Sequence, residues 1–194
     1  MQSRRDATLN LASLLHHAPG SDLEVEDEGS FTPREELLEA DGLVLSGPLS
    51  WSIRVINAGG DDDFVVDGEI EGTAVMECRR CLKPAEVTLS TDFVYPMSYR
   101  PSEKPLMLDE LSGEDDEERL VFGMPEVDFS ELLTQLFAIE VPLTALCKED
   151  CKGLNEDGVD LNEHPEAAKP PEPAVPNAPF SRLSEALNDL DLKS

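Results

Sequence analysis

Two cysteine pairs constrain this chain more than any other feature: Cys78-Arg79-Arg80-Cys81 and Cys147-Lys148-Glu149-Asp150-Cys151. They are its only four cysteines. Two close pairs, far apart in sequence, are how a chain offers four thiolates to one zinc ion. Cys78, Cys81, Cys147 and Cys151 are therefore candidate ligands for one structural zinc. Two other readings of the same residues stand beside it: reduced cysteines left from an eroded site, and a redox Cys-x-x-Cys. A redox pair wants its first thiol at a helix N-terminus after a strand, and here Pro84 and a strand pattern follow. The Cys-x3-Cys spacing is also less typical of zinc than Cys-x2-Cys.

Charge is the second constraint. The chain carries 42 acidic against 15 basic residues, a formal net charge of −27. Bare nucleic acid is a poor main ligand for such a surface, because phosphate contacts need cations. The balance favours basic partners, solubility, or a salt-adapted surface. Yet Arg79, Arg80, Lys83, Lys148 and Lys152 all lie inside or beside the cysteine pairs. They are candidate phosphate contacts on RNA. They would equally offset the formal −2 of a tetrathiolate zinc centre.

No apolar run approaches the roughly 20 residues that a membrane helix needs. Arg4-Arg5 precede Leu9 to Leu15, a stretch interrupted by Asn10 and Ser13 and too short and polar for a signal core. The expected location is the cytoplasm, where cysteines stay reduced or bind metal. No Ser-His-Asp order, phosphate loop or nucleotide fingerprint is present, and His16, His17 and His164 read as helix-end or linker residues, so no enzyme is expected.

Periodicity supplies the elements. Leu11, Leu14 and Leu15 predict a short amphipathic helix over 8–17. Residues 19–42 read as acidic and irregular, with a helical turn after Pro33. Leu49, Trp51, Ile53 and Val55 alternate with polar residues, the period of a half-buried strand. Asn57 to Asp61 reads as a hairpin loop. Strands follow over Phe64–Val66 and Glu69–Met76, with Asp67-Gly68 as a turn or bulge, and Val87 to Tyr95 alternates again. Cys78 and Cys81 thus fall on a tight turn whose backbone N–H groups can donate to thiolates. Residues 96–127 read as an acidic insertion, since seven of the ten residues 109–118 are carboxylates. Asp128-Phe129-Ser130-Glu131 is a capping box. It opens a helix whose apolar face is Leu132, Leu133, Leu136, Phe137 and Ile139. Residues 163–179 form a Pro-rich linker. Phe180, Leu183, Leu187 and Leu190 predict a short C-terminal amphipathic helix over 180–194.

Several of these residues together resemble the YceD family, the large ribosomal RNA subunit accumulation proteins. The resemblance rests on Leu9-Asn10-Leu11-Ala12-Ser13-Leu14-Leu15, on Cys78-Arg79-Arg80-Cys81-Leu82, on the Asp128 to Pro142 helix, and on Leu146-Cys147 to Cys151-Lys152-Gly153-Leu154. Many relatives continue with a further Cys-Pro-x-Cys pair, where this chain has Asn155-Glu156-Asp157-Gly158. The resemblance covers residues 9–162. It implies a role in biogenesis of the large ribosomal subunit, with ribosomal RNA, a precursor particle or a basic ribosomal protein as partner.

The expected architecture is α+β: a small antiparallel sheet or partial barrel over roughly 43–95, packed against one or two helices. Cysteine knuckles close one end and acidic disordered tails surround it. Residues 1–162 form the domain. Low aromatic content, 5%, predicts a core of Leu, Val and Ile. The expected function is a non-enzymatic large-subunit assembly factor. The alternative is an acidic binding protein or chaperone for a basic client, without RNA contact.

Overall fold

A computed structural model describes residues 6–15, 23–40, 42–59, 62–110 and 118–168. His16 and His17, the centre of the acidic run, most of the Pro-rich linker and the C-terminal helix expected over 180–194 lie outside those residues. The chain divides into two compact units, Met1–Glu149 and Asp150–Ser194.

The first unit is built on a six-stranded sheet. Its strands, in chain order, are β2 (Glu24–Phe31), β3 (Leu49–Asn57), β4 (Asp63–Glu77), β5 (Pro84–Tyr99), β6 (Met107–Glu110) and β7 (Glu118–Phe122). The spatial order is β2-β3-β4-β5-β7-β6. A two-stranded sheet joins β1 (Thr8–Asn10) to β8 (Glu126–Asp128). Among the described residues two helices complete the unit, α1 (Glu35–Ala40) and α2 (Ser130–Glu140). The α+β class stands. The main sheet is mixed rather than antiparallel, because β7 slots between β5 and β6 and runs parallel to β5.

The alternation of β3 is borne out: Leu49, Trp51, Ile53 and Val55 are buried, while Ser50, Ser52 and Arg54 are exposed. Strand β4 is continuous through Asp67-Gly68, where a turn or bulge was expected. Gly68 is there for proximity: a Cβ at this position would strike the Ser52 carbonyl oxygen and lie 2.8 Å from the Phe93 ring. Gly72 likewise leaves room for Leu49 and for Phe137 of α2.

Three further expectations are corrected. Residues 8–10 form β1 instead of a helix. A ten-residue helix is marginal alone, whereas β8 offers backbone partners, and Asn10 Oδ1 closes the following turn on the Ala12 N–H at 3.0 Å. The acidic segment Glu24–Phe31 is a strand. Its Glu24, Glu26 and Glu28 point to solvent while Phe31 is buried, and Glu26 lies opposite Arg54 across β3. Within residues 96–127, three strands form where an insertion was expected, and Leu120 and Phe122 of β7 enter the core.

The core also differs in composition. Phe31, Phe64, Phe122, Phe129 and Phe137 are all fully buried, with Phe64 and Phe122 packed edge to face at 5.6 Å. Few aromatics are present, and most of those among the described residues lie inside, where each removes more apolar area from water than an aliphatic residue. Helix α2 packs on β4 and β5 through Leu133, Thr134 and Phe137. Leu132 and Leu136 are partly buried against the same core. Ile139, expected on this face, is 77% exposed. The capping box is half formed: Asp128 Oδ1 accepts the Ser130 N–H at 2.9 Å, and Phe129 occupies the N-cap position. Ser130 instead ties the N-terminal segment, its Oγ accepting the Ala7 N–H at 2.9 Å.

The second unit, as far as residue 168, is a series of tight turns with a 3-10 helix at Pro165–Ala167. Asn155 and Val159 close one turn by a backbone bond of 3.0 Å, with Gly158 at φ 78°. Among the described residues no helix is long and apolar enough to cross a membrane.

Candidate metal centre

Strand β4 delivers its buried face into the first cysteine pair. Phe64, Val66, Ile70, Ala74 and Cys78 share one phase of the pleat and all are buried. At Cys78 the chain must reverse into β5. The reversal is held by the Cys78 N–H on the Lys83 carbonyl at 2.8 Å and the Leu82 N–H on the Cys78 carbonyl at 2.9 Å. Leu82 takes φ 60°, a left-handed conformation that costs a non-glycine residue about 1–2 kcal/mol. Pro84 then starts β5, which it can do because a strand's first residue need not donate.

The second pair is brought in from the end of α2. Pro142 cannot continue the helix. The chain beyond it runs beside the first knuckle, forming a parallel bridge between Cys78 and Ala145 and a bond from the Arg79 N–H to the Ala145 carbonyl at 3.0 Å. Cys81 Sγ and Cys147 Sγ end 3.6 Å apart.

All four expected ligands are brought together: the Sγ atoms of Cys78, Cys81, Cys147 and Cys151 lie within 4.8 Å of one another. A tetrahedral zinc site with Zn–S bonds of about 2.3 Å separates its sulfurs by about 3.8 Å. The donor set and its spacing therefore fit a tetrahedral, thiolate-seeking ion, and the cluster could hold a metal. Cys78, Cys81 and Cys151 are buried and Cys147 is exposed. The Cys78 thiol is lowered to about 6, chiefly by the backbone N–H of Cys147; burial opposes the shift, and the N–H groups of Arg80 and Cys81 add to it. These donors favour the thiolate, the form that binds metal.

Asn162 is a contributor that the spacing of cysteines did not reveal. Its Nδ2 donates to Cys151 Sγ at 3.4 Å. Its orientation is fixed, because the Lys152 N–H donates to Oδ1 at 2.9 Å and Asp160 Oδ1 accepts from Nδ2 at 2.7 Å. No cysteine spacing points to an amide eleven positions on, and no simple motif could have found it. In the stretch Asn155 to Gly158 and just beyond it, Asn155 Oδ1 accepts the Asp157 and Val159 N–H groups, both at 2.9 Å. A side-chain amide closes that turn.

The five candidate cations Arg79, Arg80, Lys83, Lys148 and Lys152 are all exposed on the cysteine-bearing loops. Arg80 reaches the Glu149 carbonyl at 3.4 Å. Glu77, Glu149 and Asp150 are exposed on the same loops.

The family model described as large ribosomal RNA subunit accumulation protein YceD matches residues 66–186, more than half of the chain. Proteins of Mycobacterium bovis and Mycobacterium tuberculosis, each described as uncharacterised, are 28% identical over 163 residues, covering 81% of this chain and 72% of theirs. A protein of Mycobacterium leprae, described in the same way, is 29% identical over 111 residues, 55% of this chain and 46% of its own. No solved structure matches.

Proposed function

We infer that this chain, which belongs to the YceD family of large ribosomal RNA subunit accumulation proteins, is a non-enzymatic factor for biogenesis of the large ribosomal subunit. It supports accumulation or processing of large-subunit ribosomal RNA in the cytoplasm. One observation carries the reading: the family match over residues 66–186 takes in both cysteine loops.

Cys78, Cys81, Cys147 and Cys151 would hold one zinc ion, which supplies a cross-link and no reaction. The N–H donors to Cys78 and the Asn162 amide on Cys151 keep those sulfurs oriented. Arg79, Arg80, Lys83, Lys148 and Lys152 then offer phosphate contacts from loops whose backbone is fixed. Five cations on a body of charge −27 give weak, salt-sensitive RNA binding. A second reading, chaperoning of a basic client such as a ribosomal protein, is favoured by that net charge and by the carboxylates along β2.

The test is removal of the protein from cells. Large-subunit ribosomal RNA should fall relative to small-subunit RNA, with precursor particles accumulating. An unchanged ratio removes the ribosomal assignment. Rescue with Arg79→Glu, Arg80→Glu and Lys83→Glu together separates the two readings: impaired rescue by a folded variant places the RNA contact on the knuckle, and normal rescue moves the working surface to the acidic body.

A further inference from the structure

We propose that Leu82, at the tip of the first cysteine turn, packs against an unstacked base of single-stranded RNA while the cations beside it hold the phosphates. Leucine is a poor choice for folding here on two counts. Its φ of 60° lies in the left-handed region, which glycine adopts without strain and a residue with a Cβ does not. Its side chain is 60% exposed, so it adds little to the core. The turn itself asks for no leucine. It is closed by backbone groups, the Leu82 N–H on the Cys78 carbonyl and the Cys78 N–H on the Lys83 carbonyl. A large apolar side chain is thus held in a strained conformation and left in solvent. Strain of this kind gathers at ligand-binding sites.

Charge on the same turn selects the partner. From Glu77 to Lys83 the exposed charged residues are Glu77, Arg79, Arg80 and Lys83, three cations against one carboxylate, on a chain of net charge −27. An apolar tip among cations reverses the character of that acidic chain. It fits a ligand that joins a flat apolar group to anions, as a nucleotide joins base to phosphate. Leucine is among the side chains that proteins press against base faces, and arginine and lysine take phosphates. A duplex hides its base faces in the stack, whereas single strands and loops present them. Leucine offers no hydrogen bond to a base edge, so the contact is indifferent to sequence. Such a contact deepens the RNA reading of the knuckle and rests on it, adding that the RNA is single-stranded where it meets Leu82.

The probes are a short fluorescent oligouridine, an abasic strand of the same length and charge, and an RNA duplex. Each is titrated against the full chain by anisotropy at about 50 mM salt, where phosphate contacts are strong. Wild type should bind oligouridine about tenfold more tightly than the abasic strand, equivalent to about 1.4 kcal/mol. Leu82→Asn, which tolerates the left-handed conformation, should remove that preference. It should leave affinity for the abasic strand and the duplex within about twofold, a shift of about 0.4 kcal/mol. Val94→Thr, at an exposed apolar position within β5, should leave all three affinities within the same range. Leu82→Gly should bind as Leu82→Asn does, and both should melt within about 4 °C of wild type. A larger fall in both would make the leucine structural and overturn the proposal. So would an abasic strand bound as well as oligouridine, or equal weakening of all three probes by Leu82→Asn. In those cases the RNA contact still stands if Arg79→Glu, Arg80→Glu and Lys83→Glu together abolish binding, whereas a wild type that binds no probe overturns both. An acidic peptide of glutamate and leucine bound more tightly than oligouridine, and through Leu82, would make the partner a protein and overturn the proposal.

Discussion

At the scale of single residues, the metal cluster and the glycines make the firmest claims. Asn162 donates to the ligand Cys151, and its amide is clamped from both sides. Outer-sphere partners of this type commonly govern metal affinity by about 10–100-fold. Asn162→Ala should therefore lower zinc affinity by that order in a chelator competition, while leaving one metal equivalent bound at saturation. Retention indistinguishable from wild type would reduce the bond to turn-building. Replacing either cysteine pair with serine should remove the metal and lower the melting temperature, since half a site holds zinc poorly. A metal-free wild type whose melting is insensitive to both replacements would make the cysteines relics. Gly68 supports a separate claim. The atom blocking its Cβ is a backbone carbonyl in the middle of the sheet, which cannot swing aside as a side-chain end can. Gly68→Ala should cost about 1–3 kcal/mol in urea unfolding, the usual range for overpacking, and a neutral result would mean that β3 and β4 can part locally.

At the scale of elements, α2 is the part whose role is easiest to divide between core and solvent. Phe137 is fully buried and fills the space left by Gly72, two residues before Ile139, which faces water. Phe137→Ala should cost about 3–5 kcal/mol, whereas Ile139→Ala should stay within about 0.5 kcal/mol. Reversal of that order in chemical denaturation would mean that α2 is rotated from the orientation described. The same helix shows what the sequence discloses and what it withholds. Its length, its start near Asp128 and its end before Pro142 are local properties, carried by capping and proline chemistry, and they were legible. Which of five apolar side chains faces the sheet is set by a glycine on another strand, and Ile139 was misassigned. The central strands were legible because alternation of Leu49 to Val55 is itself the pattern of a half-buried strand. Strands β1, β2 and β7 were not. Their pairing depends on partners distant in the chain, and in β2 the density of carboxylates hides an alternation in which only Val25 and Phe31 are large and apolar. The four cysteines were legible as a set because metal binding leaves a spacing; Asn162, bound by geometry alone, left none.

At the scale of the whole molecule, two electrostatic effects of opposite sign compete, and their magnitudes decide the response to salt. The described ion pairs are few and at least partly exposed: Arg54 with Asp67 at 3.1 Å, Arg119 with Asp63 at 2.8 Å, and Arg34 with Asp128 at 3.5 Å. Exposed pairs contribute about 0–1 kcal/mol each, and salt weakens them. Against them stands a net charge of −27 on 194 residues, whose self-repulsion destabilises the compact state and is weakened by the same salt. Repulsion involves many more pairs of charges than attraction does. Many lie within the screening length of about 30 Å at 0.01 M, and few within the 3 Å at 1 M. Raising sodium chloride from 10 mM to 1 M should therefore stabilise the protein by at least about 1 kcal/mol, a rise in melting temperature of about 2–4 °C for a chain of this size. Calorimetry across one salt series measures the shift. A melting temperature that falls with salt would show that the ion pairs outweigh the excess of carboxylates.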